Sequence, residues 1–227
     1  MIIIKLGGSV IQKDLSAINP QIFEFLNLVK QSEDKVLITN GGGPFCRVLQ
    51  NSLKDNGVSD AESLGIMGYK VDNVFGEFLK LNLPNDMTYP EVITSKEILN
   101  DAKSRKEDYK YFIGGAWETG HSSDYNAVSL ALEFGSNQVL RITNVDYVYD
   151  KDPNKFPNAA KIERMDWEQY MYIIGNRDFV PGANYPFDPV ASRIAMDTRV
   201  TVYLTSLDKI LERKTLSTDS LEGTVIG

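Results

Sequence analysis

The sequence predicts an α/β fold, a three-layer αβα sandwich on a central, mainly parallel sheet. Three observations lead there. Short apolar or β-branched runs alternate with amphipathic helical stretches from one end of the chain to the other, a pattern that implies crossover connections and a sheet covered on both faces. Three of those runs end directly in glycine, at Gly7-Gly8, Gly41-Gly42-Gly43 and Gly114-Gly115. Ligands of such sheets sit beyond the carboxyl ends of the strands, so glycine there draws the eye. No internal repeat or low-complexity linker interrupts the 227 residues, and one domain over 1–227 is the expectation.

The elements follow in order. IIIKL at 2–6 reads as a first strand. A helix over 20–30 opens on Asn19-Pro20, a cap and a first-turn proline, and places Ile22, Phe23, Phe25, Leu26 and Val29 on one face. A strand at 35–40 leads into GGGP and a helix at 45–53, then a long helix at 63–81. A weak strand at 92–94, a helix at 95–103, a strand at 109–113 and a helix at 123–134 come next. The strand at 138–145 opens a polar, aromatic, proline-bearing segment, 146–158, with the composition of a functional loop. The irregular stretch 175–189 is similar, followed by a helix at 189–196, a strand at 201–205 and a closing edge strand at 224–226.

Composition narrows the function. A net charge of −7 argues against a nucleic-acid-backbone binder, although a small anion needs only a few local donors. One cysteine, Cys46, and one histidine, His121, exclude a disulfide framework and a Cys- or His-rich metal cluster. No run approaches the ~20 apolar residues of a membrane span, and MIIIK lacks the basic start of a signal peptide. A soluble, cytoplasmic protein with neither nucleic-acid nor membrane partner is expected.

Glycine lets a backbone approach a ligand closely with its N–H groups turned outward. Each loop alone reads as a tight strand-to-helix turn; three at one sheet edge read better as a polyphosphate cradle. The pattern is not a Walker A loop, and no G-x-G-x-x-G follows a strand. Lys5 aims from the first strand toward the glycines, where an ammonium bridges transferring phosphate oxygens. The alternative for Lys5 is a solvated edge lysine, which suits its buried-looking neighbours less well.

KLGGS at Lys5–Ser9, GGGPFCR after the second strand, TGHSSD before a helix, ITNVDYVYDKDPNKFP and YPFDPVASRIA together resemble the amino-acid kinase family, and within it the UMP kinases of archaeal type. The likeness runs in order from Lys5 to the terminal GTVIG. It implies an acceptor and phosphate half over about 1–135 and an ATP half over about 136–227. By the same resemblance Lys5, Leu6, Gly7, Gly8 and Ser9 wrap the ATP phosphates, Lys5 steadying the group in flight. Gly42 faces the acceptor, Gly43 faces ATP, and Arg47 reaches phosphate with a planar fork suited to it. Thr119, Gly120, His121, Ser122, Ser123 and Asp124 match the acceptor segment, with Asp124 as the acidic organiser beside the transfer point. Ser122 and Ser123 also suit simple helix capping. Thr143, Asn144, Tyr149 and Asp152 match positions flanking the adenine and ribose. Lys13 matches a second phosphate-facing lysine of some members, or is a solvated loop lysine. ATP and Mg²⁺ are implied, the metal held by phosphates and water, as is a homo-oligomer, hexameric in most UMP kinases, with the helix at 63–81 at its interface. The acceptor is already an ionised phosphate monoester, so positioning and charge neutralisation carry the chemistry and His121 is not needed as a base.

The chain departs from the UMP kinase pattern on the acceptor side. Glu62 stands at the ribose-reading aspartate, Tyr69-Lys70 at a Thr-Arg pair, Asp72-Asn73 at Asn-Ala, and Tyr125 at a small residue. Three functions are therefore weighed. The first is an ATP-dependent UMP kinase making UDP. The second is the same fold acting on another small phosphate monoester, such as isopentenyl phosphate or another nucleotide. The third is a non-catalytic nucleotide-binding or storage protein. Carboxylate acceptors are expected to fit less well, since the 227 residues hold no stretch that reads as a regulatory domain.

Overall fold

The computed structural model describes residues 1–116, 121–153, 155–175 and 185–227. In chain order the elements are β1 (Ile2–Leu6), α1 (Gly8–Ile11), α2 (Gln21–Gln31), β2 (Val36–Asn40), α3 (Gly43–Asp55), α4 (Ala61–Leu81), β3 (Thr88–Ile93), α5 (Lys96–Ser104), β4 (Tyr111–Gly114), α6 (Ser123–Glu133), β5 (Gln138–Thr143), β6 (Val148–Tyr149), β7 (Lys161–Ile162), β8 (Arg164–Met165), α7 (Trp167–Ile173), α8 (Pro189–Thr198), β9 (Thr201–Ser206), α9 (Leu207–Arg213) and β10 (Thr224–Ile226). Among the described residues, eight strands form one sheet in the order β3-β4-β2-β1-β5-β9-β10-β8, and β6 pairs with β7 in a separate hairpin. The sheet is parallel except where β10 runs against β9.

Alternation along the central strands divides the core into two layers. Ile3, Leu37, Phe112, Val139 and Val202 face α5, α6, α7 and α8, whereas Ile4, Leu6, Val36, Ile38 and Ile142 face α1, α2, α3, α4 and α9. Because both faces are covered, β1 and β2 read as continuous apolar runs rather than as alternating ones. The three-layer sandwich expected from the sequence is thus present.

Several local expectations shift. Phe23 leaves the buried face of α2, which is formed by Ile22, Phe25, Leu26 and Val29; it is 44% exposed and lies edge-on to Phe78 at 6.1 Å. The 3.6-residue period explains it, since 22, 25, 26 and 29 share a stripe that 23 misses. β10 is not the closing edge of the sheet, because β8 pairs outside it. Residues 146–158 fold partly into the β6–β7 hairpin, closed by Asp150 N donating to Ala160 O at 3.1 Å. Most of the expected loop at 175–189 lies outside the described residues.

α7 anchors the entry to α8. Asp166 caps it in a reciprocal box with Gln169. The buried Tyr170 hydroxyl then bridges both backbone groups of Phe187, donating to its carbonyl and accepting from its N–H, each at 2.6 Å. Phe187 precedes Asp188, the cap of α8. Tyr170→Phe keeps the ring but strands two buried backbone groups, so it is expected to lower unfolding free energy by about 2 kcal/mol. Urea unfolding checks this, and an unchanged midpoint would contradict it.

Candidate active site

β1 and β5 are adjacent parallel strands in which Lys5 is the register partner of Arg141. Two like charges side by side on one sheet face repel, and both residues are buried, Lys5 at 3% and Arg141 at 7% exposure. α6 supplies the counter-charge. Asp124, in its first turn, sets Oδ1 3.0 Å from Lys5 Nζ and 3.2 Å from Arg141 Nε, while Oδ2 accepts from Asp188 N at 3.1 Å. Burial alone would raise the Asp124 carboxyl, but the charges of Lys5 and Arg141 overcome it and hold it below the usual carboxylate range. Burial, with Arg141 beside it, pulls the Lys5 ammonium down to about 8. Arg141 was not singled out by sequence reasoning. The available signal was an arginine inside the apolar run QVLRIT.

Two glycine loops meet backbone to backbone above this cluster. A Cβ on Gly8 would lie 2.0 Å from Gly43 N and 2.3 Å from Gly41 O, and one on Gly43 would lie 2.5 Å from Gly8 O. Gly43 also sits at φ +58°, which favours glycine. Gly41 is bounded by Ser123 Oγ and Lys5 Nζ, which would stand 2.9 and 3.5 Å from its Cβ. The two loops and the ion cluster line one cleft of about 230 Å³.

The cleft gathers Lys5, Gly7, Gly8, Ser9, Gly42, Gly43, Arg47, His121, Ser122, Ser123, Asp124, Thr143 and Asn144 of the sequence-derived set. Thr119 and Gly120 lie outside the described residues. Five residues stand apart from the cleft lining. Leu6 points its side chain into the core and its carbonyl accepts from Gly41 N at 3.1 Å, because alternation turns it away from the face of Lys5. Glu62 is exposed on the first turn of α4. Tyr149 lies in the β6–β7 hairpin, and Asp152 is exposed, 3.5 Å from Lys155. Lys13 is exposed and donates to Gln21 Oε1 at 3.3 Å rather than facing the cleft. Ser122 caps α6, its Oγ accepting from Tyr125 N at 3.0 Å.

The departures noted in the sequence sort themselves by position. Tyr69 lines the cleft. Tyr125 acts at one remove, its ring stacked on His121 at 3.9 Å. Asn73 takes no place in the lining but clamps Ala116, accepting from its N–H at 2.9 Å and donating to its carbonyl at 3.3 Å. Asp72 is 8% exposed, lines the cleft from α4, and sits where a Gly42 Cβ would be only 3.0 Å from its Oδ1. Burial pushes its carboxyl up to about 8, opposed by Lys5 and reinforced by Asp124. Burial likewise lifts Asp188 to about 6 and the Cys46 thiol to about 11.

The arrangement can bind and neutralise phosphate: glycine loops that admit a close backbone approach, two buried cations held by one carboxylate, and the exposed Arg47 on the same lining. Among the described residues no group of three His, Cys, Asp or Glu side chains gathers to cage a metal ion, and no helix is long and apolar enough to cross a membrane. A larger hollow of about 580 Å³ lies at the opposite ends of the strands, beside Met1, Ile2 and Gln138, away from this chemistry.

Comparison with known proteins bears on the family and the fold. The model of the amino acid kinase family matches residues 1–206. The uridylate kinase of Thermoplasma acidophilum is 28% identical over 99% of this chain and 96% of its own. That of Methanocaldococcus jannaschii is 29% identical over 88% of each. Among solved structures, the uridylate kinase from Archaeoglobus fulgidus superposes with a TM-score of 0.78 at 24% identity, covering 100% of both chains. A UMP kinase from Bacillus anthracis gives 0.81 at 19% identity, over 100% of this chain and 95% of the other.

Asp72 carries a stability consequence. Its carboxyl ionises less readily folded than unfolded, so its stabilising share is full below the unfolded value of about 4 and is lost as pH rises through about 8. Asp72→Asn does not titrate. The variant is therefore expected to gain stability over the parent between those limits, by at least ~1.4 kcal/mol, the worth of one pKa unit. Paired urea melts at acidic and mildly alkaline pH read this out, and a pH-independent difference would contradict it.

Proposed function

The chain belongs to the amino acid kinase family, and on that footing we propose that it is an ATP-dependent UMP kinase, making UDP and ADP. The observation that carries the reading is the Lys5–Asp124–Arg141 cluster at the floor of a glycine-lined cleft. A non-bridging oxygen of the UMP phosphate attacks the γ-phosphorus. A new P–O bond forms as the bond to the β-phosphate oxygen breaks, and its electron pair leaves on ADP. The attacking oxygen is already ionised, so no protein base takes part and catalysis is positioning plus charge neutralisation. Lys5 supplies a desolvated positive charge to the oxygens of the transferring group. Asp124 keeps Lys5 and Arg141 in place. Mg²⁺ carried by ATP would be held by the phosphates and water rather than by a protein cage, and would neutralise charge on the transferring group.

In this reading Gly7, Gly8, Ser9, Gly43, Arg47, Thr143 and Asn144 serve ATP, while Gly42, His121, Ser122 and Ser123 serve the acceptor together with Thr119 and Gly120. The names of the relatives support UMP as that acceptor. A second reading keeps the chemistry but changes the acceptor to another small phosphate monoester. It draws on Tyr69 in the cleft wall and on Glu62 standing away from it. A cytoplasmic homo-oligomer completes the proposal, supported by Val74 and Leu81 on α4, which are 62% and 78% exposed in the single chain.

Purified protein with ATP, Mg²⁺ and a panel of UMP, CMP, AMP and isopentenyl phosphate is expected to release ADP with UMP. Turnover with another monoester and none with UMP would move the assignment to the second reading. Lys5→Ala is expected to lower kcat by about 10³-fold or more while far-UV circular dichroism stays unchanged. Near-full activity would remove Lys5 from the mechanism.

A further inference from the structure

One group in the cleft has no role in the chemistry so far. Asp72 as a residue is more than nine-tenths buried, and no hydrogen bond to its carboxyl exists among the described residues. Its backbone carbonyl is engaged, accepting from Asn40 Nδ2 at 2.9 Å, which fixes this turn of α4 against the end of β2. The side chain is thereby held beside Gly42, on the wall of the cleft that Lys5 floors. The charged and titratable groups that act on it are Lys5 from β1, Cys46 from α3 and Asp124 from α6, and Tyr69, Arg47, His121, Arg141 and Asp188 share the cleft lining with it.

A carboxylate in that position conflicts with the ligand. Among the described residues the cleft holds three cations, Lys5, Arg47 and Arg141, and three acids, Asp72, Asp124 and Asp188. With all three acids ionised, the cleft has no net charge to attract an anion. A phosphate beside Gly42 would also face an unpaired negative oxygen in a desolvated site, which costs several kcal/mol. With Asp72 neutral, one positive charge remains and the acid gains a donor. A protonated carboxyl carries an O–H that an ionised one lacks.

We infer that Asp72 works as a neutral carboxylic acid whose O–H donates a hydrogen bond to a phosphate oxygen of the acceptor, making it a recognition residue for a phosphate monoester. Burial of the group, which favours the neutral form, supports this. A hydrogen bond donated by an acid to an anionic oxygen is of the strong, charge-assisted kind. The role parallels that of any neutral donor in a binding site, with one difference: the same side chain turns repulsive when it loses its proton. The inference rests on the UMP kinase reading, through the acceptor used to test it.

The test pairs affinity with a direct observation of the proton, because Lys5 titrates in the same pH range and would blur a rate profile alone. UMP binding to the 227-residue protein is measured by calorimetry at neutral pH. Asp72→Ala is expected to weaken UMP about tenfold through loss of the donor. Asp72→Asn, whose amide also donates, is expected to restore affinity to within about threefold of the parent. Tighter binding by the alanine variant would overturn the inference, because it would show a repulsive carboxylate. Infrared difference spectra of the UMP complex are expected to show a protonated-carboxyl C=O band in the parent that is missing from Asp72→Asn. Absence of that band from the parent, or its persistence in the variant, would equally overturn it. Failure of UMP to bind the parent at all would overturn the acceptor assignment and this inference with it, an outcome distinct from UMP binding that ignores Asp72.

Discussion

The site depends on one carboxylate placed between two cations. Lys5 and Arg141 occupy paired positions on neighbouring strands, and a sheet face with two adjacent buried positive charges is not stable by itself. Asp124 resolves this by reaching both, and its other oxygen accepts from the backbone at the start of α8. Four elements of the C-terminal strand edge, β1, β5, α6 and α8, are thereby tied at one point. Removing one partner of such a buried ion group costs more than its net contribution, because the remaining charges are left uncompensated. The same geometry serves phosphate chemistry, since cations already desolvated and fixed need no reorganisation when charge develops on an incoming group.

The glycine loops follow from the same constraint. Phosphate groups can lie over Lys5 only if the backbone above it is thin, and Gly8 and Gly43 approach so closely that neither admits a side chain. The short α1 and the long α3 both begin at this contact, which brings two helix starts to the cleft. At Asp72 burial favours the neutral acid, the same form that can donate to phosphate, while the ionisation it gives up costs stability as pH rises. Asp188 shows the milder case, with its N-cap bond to Ala191 N at 2.8 Å offsetting part of the same penalty.

Much of this was legible in the sequence, for identifiable reasons. β1 and α6 were placed within a residue because continuous β-branched runs and a Ser-Asp cap are strong local signals. Lys5 and the glycine loops stood out because their residue types are unusual at strand ends, and Asp124 through the resemblance of TGHSSD to a family motif. Arg141 escaped because its meaning depends on strand register, which pairs it with Lys5 across 136 positions and leaves no local trace. Short elements such as α7, α9 and β8 escaped as well, since one or two turns of helix carry too few apolar positions to show a period. Leu6, Glu62, Tyr149 and Asp152 were grouped with the site by motif, and their side chains lie in the core, on the surface or in a hairpin rather than along the cleft. Motif order preserves proximity in the chain but not the direction in which a side chain points.

The account stands on Asp124 as the group that holds Lys5 and Arg141 in working position. The most direct test is the rate of phosphoryl transfer in a single turnover by Asp124→Asn, with folding verified by circular dichroism and ATP binding measured separately. The account predicts a loss of at least about 100-fold in the transfer rate with ATP still bound. A transfer rate within about threefold of the parent would show that the cations need no carboxylate between them, and would contradict it.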